Sequence, residues 1–146
     1  MEIRKATLSD EEQVAALIRE LGEAIGVSGD VNPVTWYSTL RKMLASPEWT
    51  FILAEERKRS MGLLILVILP SLYHGGNTAG ITELIVTKEA QNKGVGALLV
   101  EEAKRISRLM GCEEMDVSVE VENDKAKGFY ERLGFEKKHA DYGMKL

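Results

Sequence analysis

The stretch that decides the fold is "TKEAQNKGVGALLVEEAKR", Thr87 to Arg105. Gly94 and Gly96 flank Val95 just where a helical pattern begins. Glycine is a poor helix former, so a pair of them at a helix start needs a reason. The first turn of a helix holds backbone N–H groups without partners and the positive end of the helix dipole. Glycine there removes the Cβ that would keep an anion away. Gly94, Val95, Gly96 and Ala97 would offer N–H groups to a phosphate-like group, and Lys93 adds a positive charge. Close packing of a strand against the helix accounts for the same glycines equally well. The stretch is not the dinucleotide fingerprint, which needs G-x-G-x-x-G. It is not a P-loop, because no Gly-Lys-Ser/Thr follows.

Downstream of the glycines, Val95, Leu98, Leu99, Ala103, Ile106 and Met110 recur at helical spacing, and Gly111 ends the helix. Upstream, "AGITELIVT" predicts a strand. In "EEMDVSVEVEN", Met115, Val117, Val119 and Val121 alternate with Asp116, Ser118, Glu120 and Glu122, which predicts a half-buried strand. This strand-helix-strand unit should cross over right-handed and leave its strands parallel. Asn123 caps a last helix with Ala126, Phe129, Tyr130 and Leu133 on one face. Gly134 suits a left-handed helix end, and Phe135 should fold back on Tyr130. "FEKKHADYGMKL" is expected to close the chain as a hairpin of two strands.

The first half has a different rhythm. "EIRKAT" predicts a strand, and Ser9 with Glu12 a capping box before a helix carrying Val14, Leu17, Ile18 and Leu21. Gly22, Gly26 and Gly29 loosen the next stretch. Asn32-Pro33 starts a second helix to about Ala45, burying Trp36, Leu40, Met43 and Leu44. "WTFILAEE" and "MGLLILVIL" predict strands joined by the charged turn "ERKR", and "PSLYHGGNT" a loop. The expected order is β-α-α-β-β-β-α-β-α-β-β. That is an α/β (α+β) mixed sheet with helices on both faces, one domain over residues 1–146.

Composition narrows the function. A chain of 146 residues with 45% apolar and 29% charged residues can bury a core unaided. A net charge of −4 and no basic block disfavour nucleic acid. "MEIRKATLSDEE" has no signal-peptide core, and Pro70 breaks the most apolar run short of a membrane span. The expectation is a cytoplasmic protein with no membrane partner. Cys112 is the single cysteine, so no internal disulfide forms; with His74 and His139 it makes no zinc set, and no metal is expected. Cys112 follows a helix-ending glycine without a histidine partner, which favours a structural thiol.

Two segments carry a resemblance. "ELIVTKEAQNKGVGALLVEEA" resembles motif A of the GNAT superfamily of N-acetyltransferases, whose core is [QR]-x-x-G-x-[GA]; Gln91, Gly94 and Gly96 stand at those positions. "NDKAKGFYERLGF" resembles the family's motif B, with Asn123, Ala126, the Phe129-Tyr130 pair and the closing Gly134-Phe135. The resemblance implies a GNAT-like acyl-CoA N-acyltransferase fold with a splayed parallel strand pair, and acetyl-CoA as co-substrate. It places the diphosphate on Gln91, Asn92, Lys93, Gly94, Val95, Gly96 and Ala97. The pantetheine arm would lie between the splayed strands, bonded to the backbone of Leu84, Ile85 and Val86, with Asn123 and Ala126 as further contacts. It implies direct attack of a primary amine on the thioester through a tetrahedral intermediate.

Three roles follow from that implied chemistry. The Val86 N–H would serve the oxyanion. Tyr130 would donate a proton to the leaving thiolate, since a phenol with pKa about 10 is protonated at neutral pH. Glu83 is the candidate base, with Glu120 as a rival. Ser118 stands where some family members place a glutamate, and a serine cannot act as that base. The acceptor could be a small-molecule amine, a peptide N-terminus or a lysine. His74, Trp36 and Tyr37 are candidates to border it, although core packing suits the two aromatics as well. The family's frequent homodimers make a second copy of the chain a candidate partner. A CoA-binding sensor or interaction module without catalysis is the alternative, and a longer acyl donor stays open.

Overall fold

The computed structural model describes residues 1–24 and 32–146, and the apolar run from Met61 forms the middle of its sheet. Strand β1 is Glu2–Lys5, β2 Trp49–Glu56, β3 Arg59–Ser71, β4 Gly76–Val86 and β5 Cys112–Val117. Helix α1 is Glu11–Ala24, α2 Pro33–Ala45, α3 Val95–Leu109 and α4 Asp124–Arg132. The sheet order is β1-β2-β3-β4-β5; the first four strands are antiparallel in succession, and the whole is a mixed five-stranded sheet. Two compact units are present, Met1–Asp116 and Val117–Leu146.

The alternation of β3 builds two layers in the first unit. Leu63 and Ile65 join Phe51, Leu53, Ile85, Val14, Leu17 and Leu40 in one core, with Trp36, Tyr37, Met43 and Leu44 packed against it. On the opposite face Ile52, Leu64 and Leu66 are buried, and α3 buries Val95, Leu99, Val100 and Ala103. Gly62 lies under α3 without room for a side chain. A Cβ added to it would lie 3.0 Å from Leu99 Cδ1, 3.2 Å from Val95 Cγ1 and 3.0 Å from the Ile85 carbonyl oxygen. Leu98 and Met110, expected on the buried stripe of α3, are exposed; Val100 and Ser107 take their places. The helix is turned slightly from the face that the apolar residues alone suggest.

Several local expectations are met. Asn32 accepts the Val34 N–H at 2.9 Å and starts α2 with Pro33. Gly111 and Gly134 both take left-handed φ, at 77° and 95°. In the second unit the Phe135 N–H donates to the Tyr130 carbonyl at 3.0 Å and the Gly134 N–H to the Glu131 carbonyl at 3.0 Å, which closes α4. The turn between β2 and β3 is tighter than "ERKR" suggested: Arg57 and Lys58 alone form it, both left-handed.

Others are corrected. The capping box lies two residues before Ser9, at Thr7, and caps a 3-10 turn: Asp10 accepts the Thr7 N–H at 2.8 Å while Arg4 grips its carboxylate at 2.7 and 2.9 Å. That turn, Leu8–Asp10, then leads into α1. Gly22 falls inside α1, whereas Gly26 and Gly29 lie outside the described residues. The loop after β3 shrinks to residues 72–75, because Pro70 pairs with Asn77 and Ser71 with Gly76. β5 stops at Val117, so Ser118 and Glu120 follow the strand instead of lying on it. Alternation sets which side chains are covered, but a strand also needs a ladder partner. The closing hairpin is absent: Phe135–Leu146 carries no strand, and Tyr142, Met144 and Leu146 are exposed. A lone hairpin is marginal in water, and this one offers little apolar surface to bury.

Candidate active site

The candidate residues fall into two groups, one in each unit. In the first unit, β4 leads through a 3-10 turn at Lys88–Ala90 into four turn residues and then α3. Gly94 is the N-cap of α3, with φ 80°. That left-handed conformation is the reason for glycine, since a side chain there is strained. Asn92, at φ 62°, is left-handed as well. The first helical hydrogen bond runs from the Leu98 N–H to the Gly94 carbonyl at 3.1 Å. The N–H groups of Val95, Gly96 and Ala97 precede it and have no acceptor within the helix. A Cβ built on Gly94 would meet no atom within 4 Å, so the approach is open. Gln91, Asn92 and Lys93 are exposed around it.

The end of β4 is equally specific. The Thr87 N–H donates to the Met61 carbonyl at 3.0 Å, toward β3. A trans peptide points its carbonyl the opposite way, so the Val86 carbonyl faces away from β3. Strand alternation turns the Val86 N–H and both main-chain groups of Leu84 in that same outward direction. Ile85, opposite Leu63, turns its groups inward to the ladder. This corrects the expectation that all three residues offer free main-chain groups. The Asn77 amide reaches the Met110 carbonyl at 2.8 Å, which sets the starts of β4 and β5 side by side. β4 has 11 residues and β5 has 6, so β4 outruns its neighbour.

A bulge re-aims Glu83. The β3–β4 register passes from Leu66 opposite Ile81 to Ile65 opposite Glu83, leaving Thr82 unmatched. Without that extra residue Glu83 would share a face with Ile81. With it, Glu83 shares the face of Ile65, Leu63 and Ile85, beneath the layer of α1 and α2. Burial pushes its carboxyl above the usual carboxylate range. Nothing in the run "GITELIV" announces the bulge. Two further features escaped the sequence: Gln91 donates its amide to the Val86 carbonyl at 3.2 Å, and the buried Thr87 hydroxyl has no partner among the described residues.

In the second unit Asn123 caps α4, accepting the Ala126 N–H at 3.0 Å. Tyr130 is buried on α4, its ring 5.1 Å from Phe129 and 5.4 Å from Phe135 in edge contacts. Ser118 bonds the Asp141 carboxylate. The remaining candidates take structural places. Trp36 and Tyr37 pack on the core, and the Tyr37 hydroxyl accepts from Arg19 at 3.1 Å. His74 meets Glu114 at 3.2 Å. Burial pushes the half-buried Cys112 thiol up, away from reactivity. Among the described residues no group of three or more His, Cys, Asp or Glu is placed to hold a metal, and no helix is long and apolar enough to cross a membrane.

The model of the acetyltransferase (GNAT) family matches residues 11–135. The chain belongs to that family. Membership implies acyl transfer from acetyl-CoA. This GNAT chain is 33% identical over 91 residues to N-alpha-acetyltransferase 30 of Schizosaccharomyces pombe, spanning 61% of itself and 58% of that protein. It is 27% identical to the uncharacterized N-acetyltransferase YhfO of Bacillus subtilis, over 93% of its own length and 90% of the relative's. Among solved structures, a transcriptional regulator from Bacillus halodurans matches with TM-score 0.87 and 26% identity over 99% of both chains. An aminoglycoside acetyltransferase from an uncultured soil sample shares the fold, with TM-score 0.87 and 22% identity over 99% of this chain and 95% of its own.

Proposed function

We propose that the protein is an acetyl-CoA-dependent N-acetyltransferase acting on a primary amine. The observation that carries this reading is the turn into α3: three amides without helical acceptors, a left-handed Gly94 open to solvent, and Lys93 beside them. A diphosphate suits such a helix start. The main chain from Gln91 to Ala97 would hold it. The outward main-chain groups of Leu84 would bond the amides of the pantetheine arm, and Asn123 and Ala126 would contribute further contacts. When bound, acetyl-CoA supplies an acetyl group on an electrophilic thioester. The Val86 N–H would donate to the acetyl oxygen as charge develops there. Glu83 would take the amine proton through a water; burial raises its pKa, which makes the ionised carboxylate a stronger base. Tyr130 would give its hydroxyl proton to the departing sulfur.

The names of the similar proteins include an N-alpha-acetyltransferase and an aminoglycoside acetyltransferase. We take an amine, on a small molecule, a peptide N-terminus or a lysine, as the acceptor chemistry common to them. The test is release of free CoA thiol across a panel of such amines. Release should require the amine. Tyr130→Phe should lower kcat by about a hundredfold, the usual scale of proton transfer by a positioned group, with acetyl-CoA affinity retained. Unchanged turnover would remove Tyr130 from the chemistry. Acetyl-CoA binding without release to any amine would convert the reading to a binding module.

A further inference from the structure

The Gln91 side chain does not point its amide at the open space over the helix start. Its Nε2 donates to the Val86 carbonyl at 3.2 Å. That carbonyl and the Thr87 N–H belong to one peptide group, and the N–H is held by the Met61 carbonyl at 3.0 Å on the other side. The peptide joining residues 86 and 87 is therefore gripped at both ends, once by β3 and once by the turn that precedes α3. Gln91 makes the second grip across five residues of chain, so it ties the turn to the end of the strand. A second tether acts nearby: Glu20 on α1 accepts the Lys88 N–H at 3.3 Å.

We infer that Gln91 is a positioning residue whose side chain fixes the helix-start turn against the outward edge of β4, so that one ligand can reach both at once. This inference rests on the acetyl-CoA reading of the same site. Two consequences follow from the geometry. First, Gln91 occupies the last outward carbonyl of β4, which leaves the Val86 N–H and the two Leu84 groups as the outward partners for an extended arm. The carbonyl that would let an arm shift its register is already taken. Second, the Gln91 hydrogen bond is the one that joins the turn before α3 directly to the outward edge of β4, beyond the backbone bond from the Ala90 N–H to the Thr87 carbonyl at 2.9 Å and the Glu20 tether, so it bears on the distance between the turn amides and those strand groups. A ligand that touches only the turn does not feel that distance; a ligand that spans turn and strand does.

The experiment compares two ligands of wild type, Gln91→Leu and Gln91→Arg by titration calorimetry. Acetyl-CoA spans both places, whereas ADP carries the diphosphate without the arm. Leucine keeps the bulk and removes the donor; arginine restores donors. In Gln91→Leu, acetyl-CoA affinity should fall about tenfold while ADP affinity stays within about twofold, the scale of one hydrogen bond acting on one ligand alone. In Gln91→Arg, the ratio of the two affinities should return to within about threefold of wild type, because the added charge acts on both ligands and cancels in the ratio. Equal losses for both ligands would make Gln91 a shaper of the turn only, and would overturn the inference; so would no loss for either. Wild-type protein that binds ADP but not acetyl-CoA would instead remove the acetyl-CoA reading beneath it.

Discussion

At the residue scale, two carboxylates illustrate opposite environments. Asp10 is buried, yet its pKa is pulled down to about 2, chiefly by the hydrogen bonds from Arg4, with burial opposing and the Thr7 N–H assisting. Its folded pKa lies below the unfolded value near 3.8, so the unfolded chain binds the extra proton between them. Stability from this group is complete above about pH 4 and disappears as pH falls toward 2; at neutral pH it is about 2 kcal/mol. Asp10→Asn should therefore cost about that much in urea unfolding at pH 7 and much less near pH 2. Glu83 is shifted the other way by burial alone. As a base it must be ionised, so wild-type kcat/KM should drop as pH falls through its raised pKa. Glu83→Gln should be slower and lose that acidic limb; a variant that keeps the limb would assign it elsewhere. The sequence named Glu83 but not its face, because one unmatched residue, Thr82, decides that, and a bulge of this kind leaves no compositional mark.

At the element scale, what was legible is what depends on neighbours in the chain. Asn32-Pro33, Asn123 and Gly134-Phe135 mark helix ends by local geometry, and all three do so in the structure. What was illegible depends on distant partners. The capping box sits at Thr7, ahead of a 3-10 turn, where Arg4 on β1 grips Asp10, and that meeting is tertiary. The alternation through Val121 read as strand, but β5 ends at Val117 and Val121 is exposed. The packing of α3 was legible as a stripe and not as a contact: Gly62 is silent in the sequence, yet Val95 and Leu99 of the helix pack over it too closely for a side chain. Gly62→Ala would place a methyl group 3.0 Å from a backbone oxygen, which cannot swing aside. We expect a cost of about 1–3 kcal/mol, seen as a lower melting temperature, from this overpacking. A neutral substitution would mean that β4 and α3 both shift without penalty.

At the scale of the whole molecule, the family match covers residues 11–135 and so reaches into both compact units, which the two motifs had marked separately. Ligand binding is the measurement that belongs to this scale. Acetyl-CoA at about a hundred times its Kd should add about 2.7 kcal/mol to the stability of the native chain, visible as a higher melting temperature that rises further with concentration. No shift would mean no binding to the folded form. The strand that outruns its neighbour carries one more implication. A sheet border with outward-facing donors and acceptors is adhesive, and extended chains compete for it. On the acetyl-CoA reading, the substrate's own arm fills that border and so shields it. On that reading, the protein without acetyl-CoA should be the stickier species, and its shelf life in solution should lengthen as acetyl-CoA is added.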